Sequence, residues 1–248
     1  TAGQSFRRPS PAELVAPGAR EAHVSARLEG NGRVVDVELV AAEGSRKFLR
    51  NGKPCRSQDL PGTLLSILFC PDDLSLVKGS ASMRRGELDS FGAQANVGYR
   101  KVLSAYTRSV EQRNRLLKDG CDPVLLDAWD ESVALGGATL LHHRLNLFTR
   151  LSSLVGEVYA DVASGEALAC RYVPTVAGAE AGMGRDQLRD LMLRRMEESR
   201  DDDLRRGQTL VGPHRDDISF EIEGRDARAF GSQGQQRTVA LAWKMAEV

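Results

Sequence analysis

No apolar stretch in these 248 residues reaches the length of a bilayer-spanning helix, and no secretory signal is visible. Neither sign of charge prevails. Lys+Arg and Asp+Glu both number 34, so any attraction to nucleic acid must come from a local patch. The four cysteines, at 55, 70, 121 and 170, form no C-x-x-C pair and show no metal-ligand spacing. That is the pattern of reduced thiols in a cytosolic protein. A G-x-x-x-x-G-K-[ST] phosphate loop is also absent. The run L-L-S-I-L-F-C-P-D-D ends in two aspartates, as a Mg²⁺-holding strand would. Cys70 and Pro71 push both carboxylates past the strand end, however, because proline restricts the residue before it. Asp72 is expected to cap a turn instead. The chain starts without an initiator methionine and stops inside a helical pattern, as an internal fragment would.

What is present is ordinary globular material, 41% hydrophobic and 27% charged, long enough for one large core or two smaller domains. Residues 23–28 and 34–40 alternate apolar and polar around an E-G-N-G-R turn, and R-K-F-L-R followed by Asn51-Gly52 adds a strand and a hairpin signal. This reads as an antiparallel meander. Residues 167–173 and 216–222 alternate in the same way. Helical spacing fills the region between the two ends: Tyr99, Val102, Leu103, Tyr106, Val110 and Leu117 form one stripe, with Arg100, Lys101, Arg108, Arg113, Arg115 and Lys118 around the remainder. Asp122-Pro123 starts another helix. Leu126, Trp129, Val133, Leu140, Leu147, Leu151, Leu154 and Val158 carry it to about residue 163, flexed at Gly136-Gly137. A helix that long needs partners, as a helical lobe or a short coiled-coil arm. A third helix runs from about 185 to 206. The fold class is therefore mixed α/β, in an α+β arrangement. Residues 1–80 and 207–248 are expected to share one sheet-containing lobe, and 81–206 to form a mainly helical one.

Two stretches invite chemistry. In the first, Gly231-Ser232-Gln233-Gly234 opens a helix that is apolar almost all round, with Arg237, Lys244 and Glu247 on one narrow polar stripe. Ser232 suits the N-cap, Gly234 admits close approach, and the unpaired N–H groups of a helix start favour an anion. An ordinary capped helix would look the same, so both readings stand. In the second, Lys78, Arg84 and Arg85 crowd a Gly-Ser loop before a helix. That loop either grips phosphates or is a solvated basic turn. Arg7 and Arg8 form an earlier basic pair of the same ambiguity. His142 and His143 have no second ligand pair and read as core or surface histidines.

The stretch S-Q-G-Q-Q resembles the signature of ATP-binding-cassette ATPases, and G-P-H-R-D-D-I with S-Q-G-Q-Q-R-T resembles its form in the RecF family of DNA repair ATPases. P-D-D-L-S-L-V-K-G-S with R-R and L-D, then Y-T-R with E-Q-R-N-R-L-L-K, resembles a second marker of that family about 130 residues earlier. The chain departs from the family at Gly86-Glu87, Ala81 and Val97. The resemblance implies an ATPase-head lobe with an inserted helical lobe, and a P-loop and Walker B before and after this stretch. By itself the stretch is then expected not to hydrolyse ATP. It further implies that Ser232, Gln233, Gly234 and Gln235 face ATP, whose Mg²⁺ ligands lie elsewhere. On the same ground Lys78, Arg84, Arg85, Arg7 and Arg8 would meet DNA phosphates. RecR and RecO would be partners, and ATP would join two heads. Recombinase loading at DNA gaps is the implied role. The alternatives are a chromosome-organising head with coiled-coil arms and a helical interaction module without a nucleotide.

Overall fold

The computed structural model describes residues 9–30, 32–60, 67–120, 122–163 and 165–248. Arg7 and Arg8 lie outside them. Contacts divide the chain into two compact units, 1–66 with 94–97 and 67–93 with 98–248. This division differs from the expected one, because residues 207–248 fall with the helical region.

The first unit is the meander. Strands β1 (Glu21–Gly30), β2 (Arg33–Ala42), β3 (Ser45–Arg50) and β4 (Lys53–Cys55) pair antiparallel in sequence order. The period-2 pattern sets the register: Leu39 lies opposite Val24 and Phe48, and Val37 opposite Ala26. Asn51 and Gly52 both take positive φ, as a tight Asn-Gly hairpin requires. The Asn51 side chain also accepts the Asp36 amide at 2.8 Å.

The second unit is built on one helix. After α1 (Ser75–Lys78), α2 (Ala81–Ala95) and α3 (Val97–Asp119) comes α4 (Pro123–Val162), 40 residues and about 60 Å long. Asp122 caps it by accepting the Val124 amide. The helix runs unbroken through Gly136-Gly137. A Cβ on Gly137 would stand 2.5 Å from Met192 Cε, so that glycine serves close packing rather than flexing. Helices α5 (Arg185–Glu198) and α6 (Arg200–Arg206) follow strand β5 (Leu168–Val173). The chain then forms β6 (Asp217–Ile222), β7 (Arg225–Asp226), α7 (Ala227–Phe230) and α8 (Gln233–Ala246).

The first half of α4 packs Val133, Ala134, Leu140 and Leu141 with Tyr106, Leu188 and Met192. Its last turns pack Phe148, Leu151, Val155 and Tyr159 with Phe220, Val239 and Trp243. The helix is thus the spine of a globular unit, covered at both ends by different elements, and not a free arm. Val155 takes the inward place expected of Leu154, which is exposed. β5 pairs antiparallel with β6, and β6 with β7. This pairing ties the 217–226 strands to the helical region, and they share neither sheet nor unit with the meander.

Candidate functional site

Helix α8 carries buried Gln236, Val239, Ala240, Ala242 and Trp243 against α4 and β6, leaving its first turn exposed. Ser232 is the N-cap. Its Oγ accepts the Gln235 amide at 3.1 Å, while its own amide donates to Gln235 Oε1 at 2.9 Å, a reciprocal capping box. The Ser232 carbonyl accepts the Gln236 amide. Among the described residues, no partner takes the amides of Gln233 and Gly234, so they point their hydrogens past the helix start. A Cβ on Gly234 would meet only Ser232 Oγ, at 3.7 Å, whereas one on Gly231 would strike the Ala227 carbonyl oxygen at 2.5 Å. The chain's own packing therefore requires glycine at 231 but not at 234. Two free amides, a hydroxyl and open space at a helix N-terminus fit an anionic phosphate oxygen. The polar stripe expected on α8 is only partly solvated. Glu247 is buried, accepts the Trp243 indole N–H at 2.9 Å, and has its carboxyl pushed up to about 7 by burial. Lys244 donates to Glu87 at 2.5 Å.

The basic loop is a different kind of object. Arg84 is 3% exposed. It donates through Nε and Nη2 to the two oxygens of Asp217, at 2.7 and 2.8 Å, and through Nη1 to the Gly79 carbonyl at 2.8 Å. It is therefore not a phosphate ligand. A buried guanidinium forked onto the half-buried Asp217 carboxylate, with its third nitrogen on the Gly79 carbonyl, has its donors engaged inside the chain. Arg85 is half-buried and donates to the Asp216 carbonyl at 2.5 Å, while Lys78 is exposed. At the turn Asp73 accepts the Cys70 amide at 2.6 Å; the side chain of Asp72 lies outside what the structure describes.

The R-R and D-D pairs, 133 positions apart for Arg84 and Asp217, meet here at the rim of a buried polar network. Arg144 of α4 donates to both Asp89 oxygens, at 2.9 and 2.7 Å, and to the Pro213 carbonyl at 2.5 Å. Asp216 accepts Tyr172 Oη at 2.7 Å, together with the Thr175 amide and hydroxyl; burial pushes its carboxyl up. His214 Nε2 lies 3.0 Å from the Thr209 carbonyl, which can only accept. Nδ1 is therefore the bare nitrogen and accepts Tyr106 Oη at 2.7 Å. Burial lowers His214 to about 4. Arg113, expected on the solvated side of its helix, is wholly buried between Asp130 and Asp203, at 2.5 and 2.6 Å. Among the described residues no group of three or more His, Cys, Asp or Glu side chains is placed to hold a metal ion.

No family model matches the chain. It is 39% identical over 252 residues to the DNA replication and repair protein RecF of Desulforudis audaxviator (strain MP104C), covering 99% of this chain and 68% of that one. The chain belongs to the RecF family. RecF of Desulforamulus reducens is 33% identical over 253 residues, again with 99% of this chain and 67% of its relative covered. Two solved structures of the recombination mediator RecF of the RecFOR pathway share the fold. RecF–ATPrS matches with a TM-score of 0.91 at 28% identity, over 100% of this chain and 68% of that one. RecF–ATP matches with a TM-score of 0.90 at 28% identity, over 99% and 67%. The fold is the ABC-ATPase-like one of RecF, with antiparallel sheets and helices, in a chain spanning about two thirds of its relatives. No described helix is long and apolar enough to cross a membrane.

Both stretches that resemble RecF thus occupy defined places, one in a closed network and one on an open helix start. Asp89, from the L-D of the second marker, and Tyr172, from the alternating 167–173 strand, complete these places with Arg144 and Glu166, which sequence reasoning did not single out. Nothing in the sequence signalled Arg144 and Glu166, whose partners lie far along the chain.

Proposed function

We propose that this RecF-family chain supplies the signature half of an ATP site shared between two heads, in a protein that binds DNA with ATP and helps load recombinase at gaps. The carrying observation is the pair of unpartnered amides, Gln233 and Gly234, beside an open glycine and a capped Ser232 on an exposed helix start. ATP bound there supplies the phosphate charge that draws two heads together. Ser232, Gln233 and Gly234 orient it, and Gln235 holds the cap. Mg²⁺ belongs with that nucleotide. Lys78 and Arg85, with Arg7 and Arg8, contribute to DNA binding through phosphates, so Lys78→Ala with Arg85→Ala should weaken binding alike on all sequences and flatten its salt dependence. RecR and RecO are the partners, and the cytoplasm is the compartment. The test is sedimentation of the full-length protein with and without ATP. Ser232→Arg, whose bulk blocks closure, is expected to abolish ATP-induced dimerisation in a protein that melts normally. Dimerisation that survives it removes the nucleotide from this helix.

A further inference from the structure

The capping box on α8 does not end with Gln235. The Ser232 amide can only donate, so the oxygen of the Gln235 carboxamide must face it and the NH2 must face away. That NH2 stands 3.1 Å from both oxygens of Glu166. Glu166 in turn accepts Tyr159 Oη at 3.0 Å, and Tyr159 is a buried residue of the last turns of α4. An unbroken line of hydrogen bonds therefore runs from the end of the spine helix, through a carboxylate and a carboxamide, to the backbone of the signature serine. The Ser232 amide polarises the Gln235 carboxamide and strengthens its bond to Glu166, on whose carboxylate Tyr159 converges from the other side. The carboxylate also places negative charge beside the start of α8, where the helix dipole favours it.

A lone N3 glutamine keeps three rotatable bonds, and its hold on the cap is correspondingly loose. Glu166 removes that freedom by accepting from the far side. With the Ser232 amide drawn inward, the donors left for a ligand are the Gln233 and Gly234 amides and the Ser232 hydroxyl. We propose that Glu166 is a positioning residue, which with Tyr159 couples the end of α4 to the N-cap of α8 and sets the direction of those donors. It touches no nucleotide itself. The inference rests on the shared-site reading of Ser232 and names what controls that site.

The experiment uses the full-length protein carrying Glu166→Ala, Gln235→Ala, both together, Glu166→Gln, and Ser232→Arg as a control. Glu166 is half-exposed in a connecting loop, so the melting temperature of Glu166→Ala should stay within a few degrees of wild type. ATP-induced dimerisation by sedimentation is expected to weaken about tenfold, the scale of one charge-assisted hydrogen bond. ATPase kcat should fall with little change in KM. Gln235→Ala should do the same, and the double variant should be no worse than either single one, because both break one line. Glu166→Gln keeps an acceptor oxygen and is expected to recover part of the loss. Additive losses, or unchanged dimerisation in Glu166→Ala while Ser232→Arg abolishes it, would overturn the coupling and leave the shared site standing. Dimerisation intact in Ser232→Arg would instead remove the site on which the coupling depends.

Discussion

Two loops stand on either side of the β6–β7 hairpin, residues 207–216 before it and 231–234 after it, and their polar groups are treated in opposite ways. In the first, buried or half-buried side chains take many of the donors and acceptors. His214 is held between Tyr106 and Thr209, Asp216 between Tyr172 and Thr175, and the Pro213 carbonyl meets Arg144. In the second, the capping box satisfies the Ser232 and Gln235 amides and leaves those of Gln233 and Gly234 outward. Glycine makes the same contrast. Gly212 has φ +131 and a Cβ there would stand 2.5 Å from Tyr106 Oη, while Gly234 has open space. The lesson is that two motifs of equal prominence in a sequence can serve unlike ends. One holds helices and sheet together, and the other leaves an exposed helix start.

The contrast breaks most visibly at Arg144. Arg144→Ala would leave the Asp89 carboxylate buried without its partner, and should lower stability by about 3–5 kcal/mol in urea unfolding. A loss below about 1 kcal/mol would place the network in solvent. A smaller effect comes from pH. The His214 imidazole sits near 4 when folded against 6.5 when free, so between these values the unfolded chain holds the extra proton. The stability contribution is full above about pH 6.5 and is lost as pH falls toward 4, about 3 kcal/mol at most. Burial raises Asp203, Asp216 and Glu247, which oppose this trend. The difference between wild type and His214→Gln across that window is therefore the measurement, and a flat difference would contradict the buried neutral imidazole.

The glycines sharpen the comparison further. Gly212→Ala should cost about 2 kcal/mol through positive φ and the tyrosine clash. Gly234→Ala should stay within about 0.5 kcal/mol of wild type yet weaken ATP-induced dimerisation of the full-length protein. Equal melting shifts in the two variants would erase the distinction. Ser232→Ala is expected to cost about 1 kcal/mol of stability for a lost N-cap. Its dimerisation defect should exceed what that stability loss explains, as a thermal melt and sedimentation on one preparation would reveal.

Much of the local structure was legible in the residues. The Asn51-Gly52 hairpin, the Asp122 cap, the Ser232 cap and the alternation of β6 are written in nearest neighbours, because turn geometry, capping and period-2 burial depend on a few adjacent positions. Family membership was legible too, since two long motifs in one order carry it. Only the tertiary structure decided which charged groups are buried. Arg84 sits in a loop read as gripping phosphates or as a solvated turn, and Arg113 on the polar side of a helix; both become interior because Asp217, Asp130 and Asp203 arrive from elsewhere in the chain. Likewise only folding brought Glu166 to Gln235, 69 positions away. Propensity and periodicity are short-range quantities, whereas matching one buried charge to another is a property of the closed chain.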